Sequence, residues 1–269
     1  MENETSGRTS PTIADQPPTA LVTGASGGIG RATCRLLAER GYRVAVHCAT
    51  NVAGARETLA TLPGDGHALV VADLTVPGAA ERVVGEAAEA LGTIGVLVNN
   101  AAIAPHADNR HHPADAAFAD WSAAFFTMID VNLRAAADVT YWFARLAIDA
   151  GHAGSVVNVG SRGAFRGEPD HPAYAATKAA LHALGQSLAV ALAPHRISVT
   201  SVAPGFTATE RTSGRLAGAE GERIAGQSPF GRVARPEEIA HAIAQLADPA
   251  SAWASGAILD LNGASHLRS

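Results

Sequence analysis

Tyr174 and Lys178 stand four residues apart in the run Tyr-Ala-Ala-Thr-Lys. On a helix that spacing makes a phenol and an ammonium neighbours on one face. A phenol with a pKa near 10 is a poor acid or base at neutral pH, but a nearby cation stabilises its phenolate and lowers that value. The pair could then exchange a proton with a substrate oxygen. Alone, it more often marks a solvated Tyr and Lys on an alanine-rich helix. Lys178 is the single lysine of the chain, the other 19 of its 20 basic residues being arginines. A compact ammonium and a broad, fixed guanidinium fork are not interchangeable, which sets this position apart. Ser161 lies 13 residues before Tyr174, where its hydroxyl could join the pair or only cap a turn.

Nearer the start, Thr23-Gly24-Ala25-Ser26-Gly27-Gly28-Ile29-Gly30 joins a short β-rich run to a helical segment, Arg31 to Arg40. Glycines in such a turn let backbone amides approach a pyrophosphate at the positive helix end, and the last lets the helix pack on the strand. A plain tight connection would use glycine as well. For NAD(H), an Asp or Glu about 20 residues further on would bond the ribose 2′-hydroxyl. Cys48 holds that place, followed by Ala49, Thr50 and Asn51. With no acid there to repel a 2′-phosphate, NADP(H) is favoured and NAD(H) is the alternative. No arginine clamp replaces the acid: Gly27 stands where a base could, and Arg31 is free to point into solvent.

The elements that must position these groups follow an alternating rhythm. Short β-rich runs occur at Ala20 to Thr23, Arg43 to His47, Ala68 to Ala72, Val96 to Asn99, Ser155 to Val159, Ile197 to Val202 and Ala257 to Leu261. Helical segments between them begin near Ile29, Ala53, Gly78, Ala116, Tyr174 and Pro236. This pattern predicts an α/β fold with a parallel sheet covered by helices on both faces. Ser161 then falls at the carboxyl edge, where such sheets bind ligands. Two stretches break the rhythm: Pro105 to Pro113, with His106, His111 and His112, and the polar, Gly-rich Gly205 to Phe230. Long stretches of that kind are functional lids or locally disordered segments.

The chain has 269 residues, 47% of them hydrophobic and 17% charged, and a formal charge of −5, so a polyanionic partner is not favoured. Its length suits one large domain, expected over residues 19–269, with a disordered leader over residues 1–18. The leader lacks the basic start and apolar run of a signal peptide. No apolar stretch reaches the roughly 18 residues needed to span a bilayer. Cys34 and Cys48 lack CxxC spacing and read as buried free thiols, so the expected compartment is the cytoplasm.

Taken in order, the residues from about Thr19 to Gly263 resemble the short-chain dehydrogenase/reductase family, in its short single-domain branch. Its TGxxxGxG corresponds to Thr23, Gly24, Gly28 and Gly30, and its Asp after the third strand to Asp73. Its NNAG turn corresponds to Asn99-Asn100-Ala101-Ala102, with alanine in place of glycine. Its mid-helix asparagine is Asn132, and its serine, tyrosine and lysine are Ser161, Tyr174 and Lys178. Pro204-Gly205 followed by Thr209 resembles its PGxxxT, and Arg235 to Ala240 and Asp260 to Gly263 fit its C-terminal pattern.

The resemblance implies a three-layer, Rossmann-type doubly wound sheet of about seven strands, and an enzyme that interconverts a ketone and a secondary alcohol by hydride transfer. It makes Tyr174 the proton donor, Ser161 the group that places the substrate oxygen, and Lys178 the cation that lowers the Tyr174 pKa. Asn132 would hold a water linking Lys178 to solvent. Cofactor contacts fall on Thr23, Gly24, Ser26, Gly28, Ile29 and Gly30, on Thr50 and Asn51, on Asp73 and Leu74, and on Asn100 and Ala101. Tyr174, Lys178, Pro204, Gly205, Thr207 and Thr209 complete them. Residues 206–230 would form a substrate lid, and the partner is expected to be another copy, giving a homodimer or homotetramer.

Other features have blander readings. His106, His111 and His112 with Asp108 or Asp115 lack an i, i+4 helical pair, so a loop near the substrate is favoured over a metal site. His171 either touches substrate or faces solvent, and Arg215 and Arg223 either attract an anion or form a solvated face. Trp121, Phe125 and Trp142 suit packing or a subunit interface. Within the family, a 3-oxoacyl carrier-protein reductase is one specific reading, weakened by Val190 where a basic residue is expected. The others are reductases of a small secondary metabolite, a sugar or a steroid-like ketone. A different class would be a dinucleotide-binding sensor or scaffold that does no chemistry; the presence of Ser161, Tyr174, Lys178 and Asn132 speaks against it.

Overall fold

The computed structural model describes residues 17–268, so the expected leader lies outside the described residues but for Pro17 and Pro18. Seven runs rich in Val, Ile, Leu and Ala form parallel strands: Thr19–Val22 (β1), Arg43–Cys48 (β2), Ala68–Val71 (β3), Val96–Asn99 (β4), Gly154–Val159 (β5), Ile197–Pro204 (β6) and Ile258–Leu261 (β7). They lie in the order β3-β2-β1-β4-β5-β6-β7. Central strands of a parallel sheet are buried on both faces, which is why these runs are apolar almost without alternation. Leu21 pairs with Ala45 on one side and Leu97 on the other, and all three enter one core. Their strand neighbours Ala20 and Val22 enter a second core on the opposite face, because side chains alternate along a strand.

Helices fill both faces. They are Gly28–Glu39 (α1), Val52–Ala60 (α2), Ala79–Leu91 (α3), Phe118–Ile129 (α4), Ala135–Asp149 (α5), Gly163–Arg166 (α6), Pro172–Leu192 (α7), Gly218–Ala225 (α8) and Pro236–Ala247 (α9). Leu37 of α1, Ala55 of α2 and Ile243 of α9 pack in one core, and Val83 of α3, Phe143 of α5 and Ala189 of α7 in the other. The result is the expected three-layer, Rossmann-type doubly wound sheet. Its order reverses between β1 and β4, which opens a crevice at their carboxyl ends where such folds bind ligands.

Two elements differ from expectation. The helix expected from Ala116 is two helices, α4 and α5, joined by a π-turn at Asp130–Arg134 that contains Asn132. Such turns concentrate at functional sites. The stretch expected to be irregular after Gly205 holds α8, eight residues long, and a bridge between Thr207 and Ala234. Among the described residues no helix is long and apolar enough to cross a membrane. Cys34 and Cys48 are buried free thiols.

Candidate active site

Ser161 stands two residues past β5, and its Oγ accepts a hydrogen bond from the Gly163 amide at 3.0 Å. Tyr174 and Lys178 are one turn apart on α7, which starts on Pro172, a residue preset for a helix's first turn. Lys178 is buried and its Nζ donates to the Val159 carbonyl at 2.8 Å, so β5 and α7 fix the ammonium between them. Its Nζ is 6.0 Å from the centre of the Tyr174 ring. Burial brings the Lys178 pKa down to about 8, which still leaves it mostly protonated at neutral pH.

The Tyr174 phenol does not lie below its ordinary value, as a lysine neighbour had suggested. Desolvation raises it, the Ser161 hydrogen bond acts against that, and the Glu168 carboxylate raises it further. Asn132 is buried, and its carboxamide is taken up by protein: Oδ1 accepts from Ile103 N at 2.7 Å and Nδ2 donates to Ile103 O at 3.1 Å. It therefore clamps the turn after β4 beside Thr177 of α7.

The glycine loop is shaped from behind. The Thr23 hydroxyl accepts from the amides of Asn100 and Ala101 at 3.0 and 3.1 Å, and Asn100 Nδ2 donates to the carbonyls of Thr23 and Gly24. A β-carbon on Gly30 would lie 2.6 Å from the Gly24 carbonyl, so only glycine lets α1 rest on the loop. Gly24, Ser26, Gly28, Ile29 and Asn100 line a cleft of about 780 Å³, whereas Thr23, Gly30 and Ala101 only support it. Ser161, Tyr174, Lys178, Pro204, Gly205, Thr207 and Thr209 line its other end. Asn51 lines it too, and caps α2 by accepting from Gly54 N at 3.1 Å. Thr50, Asp73 and Leu74 do not line it; the Asp73 carboxylate takes hydrogen bonds from the Thr75 amide and hydroxyl, which lower its pKa.

The loop fits an anionic ligand, since a carboxylate already occupies its anion position. Gly28 N donates to Glu210 Oε2 at 3.1 Å, at the positive end of α1. Arg31 does not point into solvent. It folds back beside the cleft, where Nε donates to Thr58 Oγ1 at 3.1 Å and Nη2 to Ser26 O at 2.9 Å. Glu57 accepts from the same Nη2 at 3.3 Å.

Sequence reasoning passed over His47, Glu168 and Glu210. His47 is a buried residue of β2 whose Nδ1 accepts from Gly24 N at 3.3 Å, which leaves Nε2–H to donate to Ala72 O at 3.0 Å. Burial lowers its pKa to about 4, so it is the neutral ring that ties the glycine loop to the strand ends. A histidine near the end of an apolar strand was the only available signal.

The histidine loop is a strap. His111 Nε2 accepts from Ala173 N at 3.1 Å, capping α7 just before Tyr174, and its Nδ1–H donates to Asn109 O at 2.7 Å. Arg110 pairs with Asp115 and Asp170, both at 2.9 Å. His171 is buried and bonds the His106 carbonyl at 3.0 Å instead of reaching the cleft. No group of three or more potential metal ligands occurs among the described residues. Arg215 lines the cleft, stacked on Phe206 and paired with Glu220, while Arg223 is exposed and away from it. Trp121 stacks between Phe118 and Phe125 on α4.

Comparisons with known proteins agree with this geometry. Residues 18–219 match the short chain dehydrogenase family. A cis-4-hydroxycyclohexanecarboxylate dehydrogenase of Sinomonas cyclohexanicum is 37% identical over 91% of this chain and 94% of its own. An L-rhamnose 1-dehydrogenase (NAD(P)(+)) of a Sphingomonas strain is 34% identical over 93% and 96%. A 3-oxoacyl-acyl-carrier-protein reductase of Vibrio cholerae is 34% identical over 92% and 97%. Among solved structures, a double mutant of a Serratia marcescens short-chain dehydrogenase/reductase superposes with a TM-score of 0.81 at 28% identity, covering 93% of this chain and 98% of that one. The chain belongs to the short-chain dehydrogenase/reductase family, enzymes that act on the alcohol and carbonyl pair with NAD(P).

Proposed function

We propose that this protein is an NADP(H)-dependent oxidoreductase that interconverts a small ketone and its secondary alcohol, with Tyr174 as general acid and base. The observation that carries the reading is the convergence of Ser161, Tyr174 and Lys178 on the same cleft as the glycine loop. The bound nicotinamide supplies or accepts the hydride. Ser161 uses its Oγ lone pair on Gly163 N, which directs its own hydrogen toward a substrate oxygen. Tyr174 gives that oxygen its proton in reduction and takes it back in oxidation. Lys178, held on Val159, keeps a positive charge near the phenol and offers its remaining N–H groups to the cleft. Asn132 keeps the turn after β4 and α7 in register.

NADP(H) is favoured over NAD(H) because Cys48 ends β2 without an acid and Arg31 brings a guanidinium to the cleft beside Asn51 and Gly54. Residues 19–269 act as one domain, with 206–230 as the substrate lid. The named relatives act on a cyclic alcohol, a sugar and a carrier-bound ketoacyl group, and all share the alcohol and carbonyl chemistry. Val190, where a carrier protein would meet a cation, is 79% exposed and apolar, which favours a small-molecule substrate. Phe118 and Phe126 on α4 and Tyr141 on α5 are large exposed apolar groups of the kind a second copy covers, in a cytoplasmic homodimer or homotetramer.

The test is NADPH and NADH oxidation at 340 nm with a panel of ketones, comparing the wild type with Tyr174→Phe. Reduction with an NADPH preference, abolished in the variant, is expected. Equal rates for the two proteins would overturn the mechanism, and an NADH preference would overturn the cofactor assignment.

A further inference from the structure

We propose that Glu168 selects substrates carrying a hydroxyl donor next to the reacting carbon, the vicinal diols and hydroxyketones of polyol and sugar chemistry. This rests on the oxidoreductase reading and names the substrate class of the same site. Glu168 lies in the loop between α6 and α7 and lines the cleft with Ser161 and Tyr174. A β-carbon on Gly163 would sit 2.9 Å from Glu168 Oε1 and 3.3 Å from Ser161 Oγ. Both oxygens thus border one small space beside Gly163, which a side chain at residue 163 would already overfill.

The polar groups around that space are unequal. Arg162 donates to Ser265 and Gln227 and lies over the Phe206 ring. Arg166 donates to Gln227, Arg211 to the Ala102 carbonyl, and Arg215 to Glu220. Every one of these side chains donates to a protein acceptor other than Glu168, although the charges of Arg166, Arg162 and Arg215 still act on its carboxylate and oppose the effect of burial. The Glu168 carboxylate receives no hydrogen bond among the described residues, although its surroundings desolvate it enough to raise its pKa. A partly desolvated carboxylate without donors is unfavourable until something supplies O–H or N–H groups. A carboxylate accepts only, and hydrogen bonds to it are charge-assisted. The partner that satisfies it beside the reacting oxygen is a second hydroxyl on the neighbouring carbon.

The experiment uses matched probes: cyclohexanol against cis-1,2-cyclohexanediol, and 2-butanol against 2,3-butanediol, oxidised with NADP⁺ and with NAD⁺. The wild type should favour the diol by about tenfold or more in kcat/KM, mainly through KM, as a charge-assisted hydrogen bond predicts. In Glu168→Leu the ratio should fall to near one, and in Glu168→Gln to a value between. An NADPH-induced thermal shift in each variant shows that it is folded and binds nucleotide. A diol ratio near one in the wild type, or the same ratio in wild type and Glu168→Leu, would overturn the role of Glu168 and leave the oxidoreductase reading standing. No turnover of any probe by a wild type that binds NADPH would overturn both.

Discussion

The carboxylate of Glu210 accepts a hydrogen bond from the backbone amide of Gly28 at 3.1 Å, although the two residues are 182 positions apart. Its other oxygen lies 3.5 Å from Arg31 Nη1. An acidic side chain from the segment after β6 therefore sits at the helix end where the dinucleotide's phosphates would be held, and it must move or be repelled when they arrive. Glu210→Gln should tighten NADPH binding roughly two- to fivefold at low ionic strength, the scale of a charge at an exposed helix end. The gain should shrink in high salt. Fluorescence titration of NADPH checks this; unchanged or weaker binding would show that Glu210 already stands clear of the phosphates.

The contact of Lys178 with the Val159 carbonyl at 2.8 Å leaves little room for a longer and broader cation. Lys178→Arg keeps the charge yet should lower kcat at least tenfold, because the guanidinium cannot take both the carbonyl and the cleft. Tyr174→Phe should lower it by a further margin, roughly 10²- to 10⁴-fold in all, the usual contribution of a positioned acid or base. Both variants should keep an NADPH-induced thermal shift. Undiminished turnover in Lys178→Arg would mean that the lone lysine is a compositional accident.

Ser161, Tyr174 and Lys178 were legible in the sequence because they follow the glycine loop in the family's order, their spacing alone fitting a solvated face as well, and the seven strands because a doubly covered sheet leaves runs of buried apolar residues. The rest depends on long-range placement. Nothing local distinguishes Arg31 turned toward Thr58 from an arginine facing solvent, and Glu168 and Glu210 gain meaning only through Gly163 and Gly28. The π-turn at Asp130–Arg134 was hidden because one extra residue in a helix barely disturbs its apolar pattern, although it carries the Asn132 that bonds Ile103.

Because the Glu168 carboxylate raises the Tyr174 pKa, it opposes the phenolate that oxidation requires. Oxidation should therefore speed up with rising pH as the phenol ionises, and Glu168→Gln should move that ascending limb to lower pH. Reduction, which needs the protonated phenol, should fall at a correspondingly lower pH in the variant. The kcat/KM profile for oxidation of cyclohexanol checks it. A limb unmoved in Glu168→Gln would show that the carboxylate is screened from the phenol.

Two buried histidines should set the acid limit of stability. Burial lowers the pKa of both His47 and His182 from the ordinary 6.5 to about 4, with the Lys178 ammonium adding to the effect on His182. The unfolded chain takes up protons below about pH 6.5 while the folded chain does not until about pH 4, so stability falls as the pH drops across that window. The loss is up to about 3 kcal/mol for each residue. Carboxylates held below their ordinary values, such as Asp73 and Glu238, act only at lower pH, through 3.8 and 4.5 downward. Between 6.5 and about 4.5 the two rings act together with His171, whose pKa burial also lowers, and against Glu168, whose raised pKa lets the folded chain take up a proton first. His47→Gln, whose amide can accept from Gly24 and donate to Ala72, should make that part of a urea-midpoint profile measurably shallower than in the wild type. A profile of the same slope in His47→Gln and wild type from pH 6.5 to 4.5 would show that the His47 ring is not kept neutral by burial.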